Sequence, residues 1–137
     1  MKPEQRLQIS VCDYLRIQYP NVIFTSDIGS GMKLTIGQAV QAKRLRSSRA
    51  MPDLMIFEPN HEYKGLFIEL KSTSPYKSKG GLKKDEHLQE QEAILDLLSG
   101  KGYKATFGVG FEQCKRIIDD YMKKPAKSHY FEIERKS

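Results

Sequence analysis

Two short apolar runs, Asp53-Leu54-Met55-Ile56-Phe57 and Leu66-Phe67-Ile68-Glu69-Leu70-Lys71, constrain this chain more than any other feature. Each has the length of a strand. The segment between them, Glu58-Pro59-Asn60-His61-Glu62-Tyr63-Lys64-Gly65, is polar and punctuated by Pro, Asn and Gly. Runs spaced this way predict a β-hairpin. In an antiparallel pair the numbers of opposed residues have a constant sum, so a turn centred near residues 61–62 sets Asp53 opposite Glu69 to Lys71. Alternation with period two sends Glu69 and Lys71 to one face and Leu66, Ile68 and Leu70 to the other. One face is expected to pack and the other to hold chemistry.

Two carboxylates and a lysine at adjoining strand ends suit metal-dependent hydrolysis of a phosphodiester. A hard cation such as Mg²⁺, or Mn²⁺ in its place, is bound through oxygen, commonly by a couple of carboxylates with water and substrate phosphate. Asp53 and Glu69 are the candidate carboxylate ligands, and the backbone carbonyl of Leu70 is a third oxygen between them. Such a cation lowers the pKa of a water and neutralises charge growing at phosphorus. Lys71 is the candidate for orienting the nucleophile or stabilising the phosphate, since its ammonium is a compact point charge. The same residues also admit a plain reading, a cross-strand salt bridge on a solvated sheet face.

Elsewhere the informative residues are polar ones on apolar helical stripes. Pro3 can open a helix reaching about Tyr19, whose spacing aligns Glu4, Gln8, Val11 and Leu15. Glu4 also reads simply as a first-turn carboxylate favoured by the helix dipole. A helix from about Lys84 to Ser99 places Gln91 in line with Leu88, Leu95 and Leu98, where an uncharged amide suits a hydrogen bond to phosphate or to Lys71; Gln89 falls off that stripe. Val22-Ile23-Phe24 predicts a strand, Gly29-Ser30-Gly31 a flexible loop, and Thr35-Ile36-Gly37-Gln38 a capping box opening a helix to about Leu45. Gly102 to Val109 predicts a third core strand, and Phe111 to Met122 a helix with Ile117, Ile118 and Tyr121 inward. The tail, residues 123–137, includes the alternating Tyr130-Phe131-Glu132-Ile133, which suits an edge strand or a contact with a second subunit.

Two basic groups flank the carboxylates. Lys43, Arg44, Arg46 and Arg49 gather ahead of Asp53, either to meet phosphates or as cations at a helix C-terminus. Lys77, Lys79, Lys83 and Lys84 lie on the loop that leaves Lys71, a loop expected to be mobile without DNA and to supply affinity with no sequence information; Tyr76 within it is placed to stack on an unpaired base. A net charge of +6 over 137 residues fits a polyanionic partner. That length makes one domain with a single core. No apolar run approaches the ~20 residues of a membrane span. Met1-Lys2-Pro3 leads into a polar helix with no signal-peptide core. A soluble, cytoplasmic protein with no membrane partner is expected. Cys12 and Cys114 have no metal-ligand spacing and read as buried thiols; His61, His87 and His129 are scattered and read as surface residues. No phosphate-binding loop or nucleotide-binding glycine motif is present.

In combination, Met51-Pro52-Asp53-Leu54, Gly65 to Lys71, and Gln91 eleven residues ahead of Gly102-Tyr103 resemble the VRR-Nuc family of the PD-(D/E)xK nuclease superfamily. Glu4 and Gln8 match that family's glutamate and glutamine on the first helix. The resemblance implies a restriction-endonuclease-like α/β fold over residues 1–122, with a mixed central sheet flanked by helices. It implies divalent-metal-dependent DNA cleavage by Asp53, Glu69, Lys71 and Gln91, with Glu4 reaching the metal directly or through water and Gln8 in support. For short stand-alone members of bacterial or phage type it further implies homodimers that cut branched DNA such as Holliday junctions. The sequence departs from the family in having Ala50-Met51 where a glycine is common, and Asp27-Ile28-Gly29 where Asn-Gly is usual. The expectation is therefore a homodimeric junction-resolving endonuclease. A flap, nick or duplex nuclease and a non-catalytic DNA-binding protein are the alternatives.

Overall fold

In a computed structural model, residues 1–27 and 33–126 are described. The predicted Gly29-Ser30-Gly31 loop, His129 and the alternating segment at 130–133 lie outside them. The elements run α1 (Pro3–Gln18), β1 (Phe24–Ser26), α2 (Ile36–Leu45), β2 (Leu54–Ile56), β3 (Leu66–Lys71), α3 (Glu86–Gly100), β4 (Lys104–Val109) and α4 (Gly110–Met122). The strands form one mixed sheet in the order β1-β2-β3-β4, with the first two pairings antiparallel and the last parallel. A parallel neighbour needs a long crossover, and α3 supplies it.

The β2–β3 hairpin has the predicted register. Leu54 stands opposite Ile68 and Ile56 opposite Leu66. The strand expected at residues 22–24 lies two residues later, at Phe24–Ser26, where it pairs with β2. The helix expected from Lys84 begins at Glu86 because the Asp85 side chain caps it, accepting the Leu88 N–H. At the start of α2 the capping box is formed, with Thr35 and Gln38 exchanging side-chain and backbone bonds.

Both faces of β3 are covered. Leu66, Ile68 and Leu70 pack with Leu7, Val11 and Leu15 of α1 and with Cys114, Ile118 and Tyr121 of α4. The other face, expected to be open for chemistry, is buried as far as Glu69. Phe67 stacks on Tyr103 there with centroids 4.7 Å apart, and Gln91 of α3 reaches Glu69. Close approach of β4 to this packing requires a glycine. A Cβ on Gly108 would lie 2.6 Å from Cys114 Sγ and 2.7 Å from Ile68 Cγ2. Cys114 is fully buried, and burial pushes its thiol up to about 11, which makes it an inert filler.

The segment after β3 is not an open coil. Tyr76 and Leu82 form an antiparallel bridge, Lys77 N–H bonds the Gly81 carbonyl, and Gly80 and Gly81 take the positive φ of the turn. Pro75 is fully buried at its base, and Tyr76 meets Phe107 edge-on at 6.1 Å. Among the described residues no helix is long and apolar enough to cross a membrane.

Candidate active site

The carboxylates are brought together by the end of a ladder. Backbone pairing between β2 and β3 stops at Leu54, and the residue before it, Asp53, continues the register to face Glu69. One step further, Pro52 would stand opposite Leu70. Proline has no N–H to give the Leu70 carbonyl, so the ladder ends there, and the Leu70 N–H donates to the Asp53 carboxylate, at 3.0 Å from Oδ2. In a strand the N–H and C=O of one residue point to the same neighbour, so the Leu70 carbonyl points past the end of β2 on the same side. Pro52 is itself fully buried, which fixes this arrangement.

Glu69 is 4 % exposed and Gln91 5 % exposed. Gln91 Nε2 donates to Glu69 Oε1 at 2.9 Å, whereas Glu69 Oε2 is buried and receives no hydrogen bond. Burial holds the Glu69 carboxyl well above the ordinary range. The adjacent Asp53 carboxylate, near enough to share a proton with it, pushes in the same direction. Lys71, half-buried two residues on, acts in the opposite sense, and Glu4, exposed in the first turn of α1, adds further negative charge. Two carboxyl groups are thus held close, with burial opposing their charge and one ammonium favouring it.

Gln8 reaches the site through the backbone. Its amide donates to Ser26 Oγ at 2.7 Å and to the Asp27 carbonyl at 2.8 Å, and Ser26 Oγ donates to the Asp53 carbonyl at 2.7 Å. The Asp27 N–H bonds the same carbonyl at 2.9 Å. Asp53 is therefore gripped on its backbone from β1 and on its side chain from β3. Nothing in the composition around Ser26 singles it out in advance.

Two carboxylates, a backbone carbonyl and a buried oxygen without a donor suit a hard divalent cation. Among the described residues no three His, Cys, Asp or Glu side chains form a metal cluster by themselves. A cation here would rest on Asp53, Glu69 and the Leu70 carbonyl, with water filling the rest, as Mg²⁺ sites commonly do.

No family model and no curated protein matches the chain. A solved structure named "VRR_NUC domain protein" does, with a TM-score of 0.64 over 92 % of this chain and 93 % of that one, at 19 % identity. The chain has the VRR_NUC fold. That is a restriction-endonuclease-like α/β architecture, here a four-stranded mixed sheet with four helices.

Within this VRR_NUC fold the basic residues border the same strand ends. Arg46 bonds Asp27 at 2.8 Å and so ties the end of α2 to the end of β1. Arg49 makes a two-pronged contact with Glu90 of α3, at 2.5 and 2.8 Å, which anchors the segment leading into Asp53. Lys43 and Arg44 lie exposed in the last turn of α2. Lys77, Lys79, Lys83 and Lys84 are exposed on and beside the small hairpin that leaves Lys71. One residue read as plain surface, His87, touches the site: its Nε2 lies 3.1 Å from Gln91 Nε2. Its spacing of four residues from Gln91 on one helix was the available signal.

Proposed function

We propose that this chain is a divalent-metal-dependent endodeoxyribonuclease of the VRR-Nuc family. The observation that carries the proposal is the pair Asp53 and Glu69 at one strand end, with a buried Glu69 oxygen that, among the described residues, has only the neighbouring Asp53 carboxyl beside it. Asp53, Glu69 and the Leu70 carbonyl would hold the cation. When bound, Mg²⁺ or Mn²⁺ supplies Lewis-acid charge at the scissile phosphate and makes water a better nucleophile at neutral pH.

The protein groups divide the remaining work. Gln91 holds Glu69 through Oε1 and so orients its second oxygen. Lys71 places an ammonium beside the carboxylates, where it holds a phosphate oxygen or the attacking water. The water oxygen bonds to phosphorus, the bond to the leaving sugar oxygen breaks, and a proton passes to that oxygen. Glu4 stands at the rim of the site as a further carboxylate. Lysines of the 76–82 hairpin and the end of α2 offer cations for phosphates flanking the cut.

The substrate we assign is branched DNA, resolved by a homodimer. A four-way junction presents two equivalent strands, and a two-fold dimer presents two equivalent sites. The dimer draws support from α2, none of whose residues is buried and whose Ile36 and Leu45 are 86 % and 84 % exposed. The test is cleavage of labelled four-way junction, flap, nicked, duplex and single-stranded DNAs with Mg²⁺, Mn²⁺ or EDTA, using wild type and Glu69→Ala. Metal-dependent and Glu69-dependent cutting is the expected result, with paired symmetric nicks in the junction. Cutting confined to flaps or nicks would redirect the substrate assignment. Binding without cutting under every metal would overturn the enzyme.

A further inference from the structure

The Gln91 amide stands between two groups, Glu69 Oε1 at 2.9 Å and His87 Nε2 at 3.1 Å, and both approach its nitrogen. An amide NH₂ has two hydrogens to give and accepts nothing, so both neighbours must act as acceptors. Glu69 accepts through Oε1. His87 accepts if its Nε2 carries no proton, which places the imidazole hydrogen on Nδ1. Gln91 Oε1 is buried and has no donor among the described residues, so none of them fixes the amide from its oxygen side. Turned over, the amide would set oxygen against oxygen at Glu69. Glu69 and His87 together are what fix it.

We propose that His87 is a positioning residue for the metal site: its Nε2 accepts one hydrogen of the Gln91 amide nitrogen and so keeps the other on Glu69 Oε1, leaving Oε2 for the cation. This inference rests on the reading of Asp53 and Glu69 as metal ligands. His87 opens to solvent in a cleft lined by Arg49, Asp85 and Glu86, so its side chain can be changed without disturbing the core. It touches neither proposed ligand.

The test is Mn²⁺ binding to the full chain by calorimetry, without DNA, alongside cleavage. Partners that orient a metal ligand are typically worth about 10–100-fold in affinity or activity, and His87→Ala is expected to weaken Mn²⁺ binding by about tenfold. His87→Gln, whose neutral oxygen can accept from the same amine, is expected to restore most of that loss. In a Gln91→Ala background His87→Ala should add nothing, because the imidazole acts through that amide. Wild-type affinity in His87→Ala, or an equal loss in the Gln91→Ala background, would overturn the inference while leaving the nuclease standing. A wild type that binds Mn²⁺ no better than Glu69→Gln would remove the metal site, and this inference with it.

Discussion

Two carboxylates of this molecule are held in opposite ways. At the seam between α1 and α4, Asp119 Oδ1 accepts the hydroxyls of Tyr14 at 2.6 Å and Tyr19 at 2.7 Å, and Oδ2 accepts Lys115 at 3.1 Å. Burial opposes its charge, but hydrogen bonds from the tyrosines and the lysine outweigh it and hold Asp119 below its ordinary value of 3.8. At the β2–β3 strand ends, Glu69 takes a hydrogen bond from Gln91, lies against a second carboxyl group, and sits well above its ordinary value of 4.5. A carboxylate that only fastens helices is surrounded by hydrogen-bond donors. One crowded against a second carboxylate, as Glu69 is, carries a cost that the proposed cation would relieve.

The comparison breaks most sharply at Glu69. Glu69→Gln is expected to reduce DNA cleavage at least about 10²–10³-fold, the scale for removing one preorganised charged group. It should also raise the stability of the metal-free protein at neutral pH, since an amide relieves the crowding with Asp53; urea denaturation without metal measures this, and a drop in stability would break the contrast. Asp119→Ala should do the reverse. It leaves two hydroxyls and an ammonium without their acceptor and is expected to lose about 2–3 kcal/mol by the same assay, with cleavage by the folded protein unchanged.

The two sites should also tilt stability in opposite directions with pH. The raised Glu69 stabilises the metal-free fold fully below its ordinary value of 4.5, and that contribution is lost as pH rises through the raised folded value. The depressed Asp119 stabilises above its ordinary value of 3.8, and that contribution is lost as pH falls through the folded value. Denaturation across the pH range should therefore show Glu69→Gln gaining on wild type toward alkaline pH, and the deficit of Asp119→Ala shrinking in acid. Parallel curves would contradict both assignments. The smallest effect is expected from Tyr19→Phe, which removes one of the three donors and should cost about 1 kcal/mol in thermal unfolding.

The hairpin and its carboxylates are legible in the sequence because antiparallel pairing converts numbering into position. A polar segment with Pro, Asn and Gly centres the turn, and Asp53 then faces Glu69 at the near end of the predicted range. Gln91 is legible as a polar residue in an apolar stripe. Burial of the Glu69 face is not, because period-two alternation says which side a residue faces and not what lies against it. That cover comes from α3 and from the stack of Phe67 on Tyr103, both contacts between distant segments. Ser26 and the Asp119 seam are hidden for the same reason: each joins residues far apart in the chain through single hydroxyls. The loop after Lys71 reads as open coil by composition, yet a buried Pro75 and the glycines at 80 and 81 close it into a hairpin.

The direct measurement is the melting temperature of the wild-type protein, free of DNA, as Mn²⁺ is added, with Glu69→Gln alongside. A cation that binds the folded site and not the unfolded chain stabilises by mass action. The expected result is a melting temperature that climbs with Mn²⁺ in wild type and stays flat in Glu69→Gln. A flat wild type, or an equal climb in both, would contradict a cation held by Asp53 and Glu69.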